Sequence, residues 1–230
     1  MGRDRRPPVR RVRHAWWFKV PAEVLAQARS LANATADVTR ARAVLLNHPY
    51  ARAAKQGVLF KRAMEQGKAG RECATIAFVA EAPGSVSSPG VMGRLSLRML
   101  ESCAECGENG VKHLVTHAQH LVEAAEARER WPRRLVTLRE VRVTSMAPGA
   151  CRLRHNDGSE GSLATVIYVL RGKAKVGFHQ RSEFEDVKAG EGWVIAGKRR
   201  LRDCEHEVQR VSSKSCRLSV AVQFQLTVAR

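Results

Sequence analysis

His155 and Asp157 stand one residue apart in "CRLRHNDGSEGSLATVIYVL", the first place in this chain where residue type and spacing together suggest chemistry. On an extended strand, residues i and i+2 share a face, so an imidazole and a carboxylate stand side by side. A second histidine from a distant strand would complete a two-histidine, one-carboxylate face, which holds Fe(II) by three positions and leaves the others open. His206 in "RDCEHEVQRV", 51 positions after His155, is the candidate. Arg217 follows 11 positions later in "CRLSVAVQF". Its guanidinium matches a carboxylate through a planar fork of donors, and Ser219, two residues on, adds a hydroxyl on the same face. H-x-D by itself also describes a surface turn before a strand; the order and spacing of the five residues give it weight.

These residues sit in a region of uniform texture. After Trp131-Pro132, Val, Thr, Ile, Tyr and Phe come in short alternating runs separated by Gly-containing turns. "RLVTLREVRVTSM", "ACRLRH", "LATVIYVL", "KAKVGFH", "FEDVKAGEGWVIAG", "EHEVQRV" and "CRLSVAVQFQLTV" predict seven or eight strands, a sandwich or barrel of roughly 95 residues. Upstream, residues 22–64 are rich in Ala, Leu, Arg and Gln and read as helical. "EAPGSVSSPG" reads as a loop, and helix is expected again over about 91–105 and 111–130. The chain thus divides into a basic arm over 1–20, whose Trp16, Trp17 and Phe18 are expected to dock on the body, a mainly helical region over 21–132, and a β core over 133–230. The fold class is α+β.

At 230 residues and 44% hydrophobic content the chain can bury a sizeable core. Its apolar stretches fall short of the roughly 20 residues of a membrane-spanning helix, and no apolar signal core follows the Arg-rich beginning. Six irregularly spaced cysteines do not resemble a secreted disulfide framework, so an intracellular, reducing compartment is expected. Charge is the least ordinary property: 40 Lys and Arg against 22 Asp and Glu give +18. The first 20 residues carry +6 of it, leaving +12 on the remainder. Such a field attracts polyanions, nucleic acid foremost; a solubilising surface or targeting arm is the plainer alternative.

Residues 141–224 resemble the core of the Fe(II)/2-oxoglutarate-dependent dioxygenases. The family pattern is H-x-D, a distal His, then R-x-S about ten residues beyond; here it reads "HND", "EHEV" and "RLS". "VRVTSMAPGACRLRH" is similar to the family's segment leading into H-x-D, and "VKAGEGWVIAG" to its strand-Gly-strand element. The chain departs from the pattern where an aromatic often precedes the Pro-Gly turn and touches 2-oxoglutarate; Met146 or Ala147 stands there. The resemblance implies a double-stranded β-helix, or jelly roll, with the helical region packed outside it. It implies Fe(II) held by His155, Asp157 and His206, and 2-oxoglutarate as co-substrate with its far carboxylate on Arg217 and Ser219. O2 would then be spent in decarboxylating 2-oxoglutarate to succinate and oxidising a substrate C–H.

For the substrate, charge must carry the argument. "GKRRLRDCEH" places Lys198, Arg199, Arg200 and Arg202 within eight residues of His206, where with Arg130, Arg133 and Arg134 they could straddle a phosphate backbone. A base hydroxylase or demethylase similar to the TET/JBP or AlkB types is expected, on DNA rather than RNA, with Trp193 or Phe178 available to stack on a flipped base. A prolyl-type peptide hydroxylase and a non-catalytic basic nucleic-acid-binding module are the alternatives. Cys103 and Cys106 with His113, His117 and His120 invite a zinc reading, against which the histidines fit one face of a helix. His179 could enter the pocket, and Tyr168 reads as core or as lining of the co-substrate pocket.

Overall fold

The computed structural model describes residues 9–12, 15–33, 73–79, 93–96, 107–128, 134–146, 151–155, 163–178, 184–195, 206–209, 211 and 217–228. In chain order these form β1 (Val9–Val12), β2 (Ala15–Lys19), helix α1 (22–33), β3 (Cys73–Val79), β4 (Gly93–Ser96) and helix α2 (Gly107–Arg128). Then come β5 (Arg134–Met146), β6 (Arg152–His155), β7 (Leu163–Arg171), β8 (Lys173–Phe178), β9 (Phe184–Lys188), β10 (Glu191–Ile195), β11 (His206–Val208) and β12 (Arg217–Val228).

The last eight strands pair as nested antiparallel partners: β8 with β9, β7 with β10, β6 with β11 and β5 with β12. One long hairpin is thus wound on itself, which is the topology of a jelly roll. β5, β7, β10 and β12 lie in an eight-stranded sheet of order β1-β2-β10-β7-β12-β5-β3-β4, and β6, β11, β8 and β9 form a second, four-stranded sheet. The expected double-stranded β-helix in an α+β fold is the observed one.

Three layers account for the burial. Every residue from Leu163 to Leu170 is buried, because β7 is central in its sheet and both of its faces are covered. Tyr168, Val166 and Leu170 pack with the helical layer, while Ile167 and Val169 pack toward the small sheet with Val176, Val187 and Val208. Helix α2 buries Val111, Leu114, Ala118, Leu121, Val122 and Ala125, the three-to-four spacing of one apolar stripe. Removing these side chains from water, at about 25 cal/mol per Å² of apolar surface, is what holds the helix to the sheet. Glycines serve the corners. Gly172 (φ 77°) and Gly190 (φ 84°) occupy the left-handed region, and the amide of Ala189 donates to the Gly172 carbonyl at 3.0 Å. At Gly192 the reason is proximity: a Cβ there would lie 2.4 Å from the Ile167 carbonyl oxygen.

Two expectations need correction. Residues 9–12 and 15–19, read as part of a basic arm, are strands; β2 joins the large sheet beside β10. Trp16 and Phe18 dock as expected and Trp17 is partly buried. The segment over 93–96, expected helical, is a strand parallel to β3, since a free edge offers pairing that overrides local propensity. The helical expectation holds for 22–33 and for α2, and 34–64 lies outside the described residues. No helix among the described residues is long and apolar enough to cross a membrane.

Candidate functional site

His206 opens β11, the strand between β6 and β8. Its Cα partner on β6 is His155, the last residue of that strand, and its partner on β8 is Phe178. Directly opposed positions in an antiparallel pair share a face, so the two histidine positions named from sequence are cross-strand neighbours. Register shifts between His206 and Val208, a bulge of the kind that re-aims residues beside functional sites. The imidazole of His206 is 3% exposed, and the Phe178 ring lies 6.2 Å away at 35°.

Arg217 opens β12 opposite Met146. It is 3% exposed, its Nη1 donates to the Met146 sulfur at 3.6 Å, and its guanidinium carbon lies 5.5 Å from the centroid of the Trp193 ring. Met146, standing where the family often has an aromatic, therefore supports the guanidinium through sulfur. Ser219 is buried opposite Thr144. His206, Arg217, Ser219, Thr144, Trp193 and Arg142 all line one small cavity between the two sheets.

The donor chemistry fits Fe(II) and 2-oxoglutarate. Two imidazole positions face each other across a strand pair, with a carboxylate residue two positions beyond one of them in the sequence, and a buried cation lines the cavity that His206 lines. A guanidinium presents a planar fork of donors that matches a carboxylate. Among the described residues no three His, Cys, Asp or Glu side chains come together. Asp157, Lys198, Arg199, Arg200, Arg202, Arg130, Arg133, Ala147, His179, Cys103 and Cys106 lie outside the described residues, and His155 is described in its backbone alone.

Other candidates go elsewhere. Tyr168 is fully buried on the helix-facing side of β7, away from the cavity, and makes a 3.0 Å hydrogen bond with His117 Nδ1. Burial raises the Tyr168 phenol well above its ordinary value. It also lowers His117, with His120 acting in the same direction and Glu23 opposing. Both groups are thereby held in their neutral forms, so the contact is a hydrogen bond between a phenol and an uncharged imidazole. His113 bonds Gln27 Nε2 at 3.1 Å. Arg134, considered for phosphate, is half-buried in an ion pair with Glu126 of α2. Trp193, 1% exposed, packs at 5.5 Å against Trp17 and forms a cavity wall. Phe178 stands against His206. Sequence reading missed Arg142, Thr144 and Glu140; the signal was the polar alternation of "REVRVTSM", a segment buried on both faces from Glu140 to Thr144.

No protein-family model matches the chain, and no curated protein matches it. Among solved structures it is similar to the 2-oxoglutarate complex of a viral collagen prolyl hydroxylase from Paramecium Bursaria Chlorella virus-1, at 14% identity over 51% of this chain and 74% of that one, with a TM-score of 0.39. It is also similar to an oxidoreductase of the 2OG-Fe(II) oxygenase family from Burkholderia pseudomallei (16% identity, 57% and 60%, TM-score 0.38). A cupin protein from Bacteroides fragilis matches at 19% identity over 41% and 77%, with a TM-score of 0.31. The jelly-roll assignment rests on the strand order itself.

Proposed function

We propose that this chain is an Fe(II)/2-oxoglutarate-dependent dioxygenase that oxidises a C–H or methyl group on a nucleic-acid base. The observation that carries the reading is the register of β11: it sets His206 opposite His155, two residues before Asp157, while Arg217 of the next strand lines the cavity that His206 lines. His155, Asp157 and His206 would hold the metal, and Arg217 with Ser219 the far carboxylate of 2-oxoglutarate. When bound, iron and co-substrate supply O2 activation coupled to decarboxylation to succinate.

The chain's own residues do the positioning. Phe178 limits the tilt of the His206 ring, and the Trp193 face and Met146 sulfur hold the Arg217 fork in the lumen. Ile167, Trp193 and Val208 line the same cavity, and apolar walls strengthen the attraction of a guanidinium for a carboxylate. The net charge of +18 supports a polyanionic substrate, and a base inside a duplex would have to be flipped into the site.

The test is anaerobic incubation with Fe(II) and 2-oxoglutarate, then admission of O2, measuring succinate with methylated DNA, methylated RNA or a peptide library. Succinate coupled to loss or oxidation of a base methyl group is the expected result. Coupling to peptides alone replaces the nucleic-acid substrate by a peptide one, as for a prolyl-type hydroxylase. Salt-sensitive DNA binding without succinate makes the protein a basic binding module.

A further inference from the structure

Basic side chains crowd one corner of the jelly roll. Arg171 ends β7, Lys173 opens β8, Lys188 ends β9 and Lys19 ends β2, and all of them are exposed. Backbone hydrogen bonds gather these strand ends: the amide of Ala189 donates to the Gly172 carbonyl at 3.0 Å, that of Gly190 to Val169 at 2.9 Å and that of Val20 to Gly190 at 2.9 Å. Arg29 of α1, also exposed, joins them by donating from Nη2 to the carbonyl of Leu170 at 3.4 Å. None of these cations makes an ion pair with a described residue.

Register sharpens the charge. Lys173 and Lys188 are direct partners in the β8–β9 ladder, and like charges so opposed weaken a sheet. The next pair on the same face, Lys175 and Asp186, is of opposite sign, so the excess is confined to the corner. Against it stand Glu191, the partner of Lys19, whose Oε2 accepts from the Lys188 amide at 3.0 Å, and Glu23 near the start of α1.

A concentrated positive corner attracts an anion that meets several cations at once. A lipid surface would add apolar contacts. The large apolar side chains exposed among the described residues, Leu135 and Val228, belong to the start of β5 and the end of β12, whereas the corner adjoins the start of β12, where Leu218 pairs with Arg171. A phosphate backbone binds through charge without such contacts. The spacing suits the same partner: β8 runs from Lys173 at the corner to Phe178, the partner of His206, a path of roughly 16 Å at about 3.3 Å per residue. A nucleic-acid strand covers it in about five nucleotides at roughly 3.4 Å each.

We infer that Lys19, Arg29, Arg171, Lys173 and Lys188 form a phosphate-binding surface that holds a nucleic-acid strand while a base of the same strand lies at the His206 site. The inference rests on the nucleic-acid reading above and extends it to where the backbone is held.

The experiment follows the anisotropy of fluorescein-labelled DNA of about 20 nucleotides on titration with the full chain over a range of salt. Lys173→Gln/Lys188→Gln is compared with Lys112→Gln/Arg139→Gln, which removes the same charge from exposed positions on α2 and β5. The corner variant should lose about 10-fold or more in affinity at about 0.1 M salt, and its slope of log K against log salt should fall by about 0.9 for each phosphate contact removed; the control variant should bind as the parent does. In the parent, bound DNA should protect Lys173 and Lys188 from acetylation, read by mass spectrometry, and leave Lys112 reactive. Equal losses in the two variants, parental binding by the corner variant, or unprotected Lys173 and Lys188 overturn the inference. So does a corner variant that loses affinity for vesicles of equimolar phosphatidylcholine and phosphatidylserine but keeps it for DNA, which makes the corner a lipid contact. The substrate is judged separately by succinate release: a corner-specific loss of DNA binding with succinate formed on peptides alone removes the base as substrate and leaves the surface, while base oxidation with parental DNA binding in the corner variant does the reverse.

Discussion

His206 and His155 face each other across the β11–β6 pair, the first residue of one strand against the last of the other. Two positions so opposed lie about 5 Å apart at Cβ, a separation that two imidazoles on one ion can bridge. Replacing His155, Asp157 or His206 by Ala should therefore abolish succinate formation and weaken Fe(II) binding by at least about 100-fold, since partners outside the ligand set already contribute 10- to 100-fold. Circular dichroism should be unchanged. A variant with parental succinate output would take its residue out of the site.

Arg217 should act through the co-substrate, because its fork and not its charge alone defines the interaction. Truncating one member of a buried charge pair costs roughly 2–5 kcal/mol, so Arg217→Ala should raise the dissociation constant for 2-oxoglutarate about 30-fold or more at ~1.4 kcal/mol per decade. Arg217→Lys should recover part of this, a point charge being unable to form the fork. The absorbance of the Fe(II) chelate during a 2-oxoglutarate titration reads both variants. Parental affinity in Arg217→Ala would remove the residue, and Ser219 with it, from the co-substrate site.

Lys198, Arg199 and Arg200 stand just before the strand that begins at His206. If they meet a phosphate backbone, changing all three to Gln should weaken DNA binding and lower the slope of log K against log salt by about 0.9 for each phosphate no longer neutralised. An unchanged slope would place the polyanion elsewhere and favour a peptide substrate.

The bond between His117 and Tyr168 ties α2 to the large sheet and sets a pH dependence. Burial holds the folded His117 below its ordinary value of 6.5, so the unfolded chain binds the extra proton first as pH falls. The stability of the neutral pair is present above about 6.5 and is lost as pH drops from there toward the depressed folded value. His117→Gln keeps a neutral acceptor and removes the titration. Urea midpoints for this variant should therefore fall less between pH 6.5 and 5 than those of the parent; parallel curves would mean that His117 does not titrate across the transition.

What the sequence disclosed follows from how each feature is encoded. The strands after residue 133 are local: β-branched runs between glycines. In the order H-x-D, His, R-x-S, the first two members fall at the facing ends of β6 and β11, so the opposition of the His155 and His206 positions was legible with no knowledge of register. β1 and β2 were hidden because their arginines resemble a solvated arm and the partner strand β10 is distant in the chain. Arg142 and Glu140 were hidden for another reason. Alternation tells that β5 has a polar and an apolar face but not which is inward. Here Val141 and Val143 turn to the helices and the polar face lines the lumen.

The pairing of β2 with β10 also has a consequence for biosynthesis. Trp17 meets Trp193 about 175 positions later in the chain, and the wall of the cavity is not closed until both are present. At the roughly 5–20 residues per second of translation, the segment bearing Trp16, Trp17 and Phe18 waits on the order of 10 to 35 s for its neighbour. During that interval the strand against which these three aromatic residues pair in the folded sheet has not yet been made.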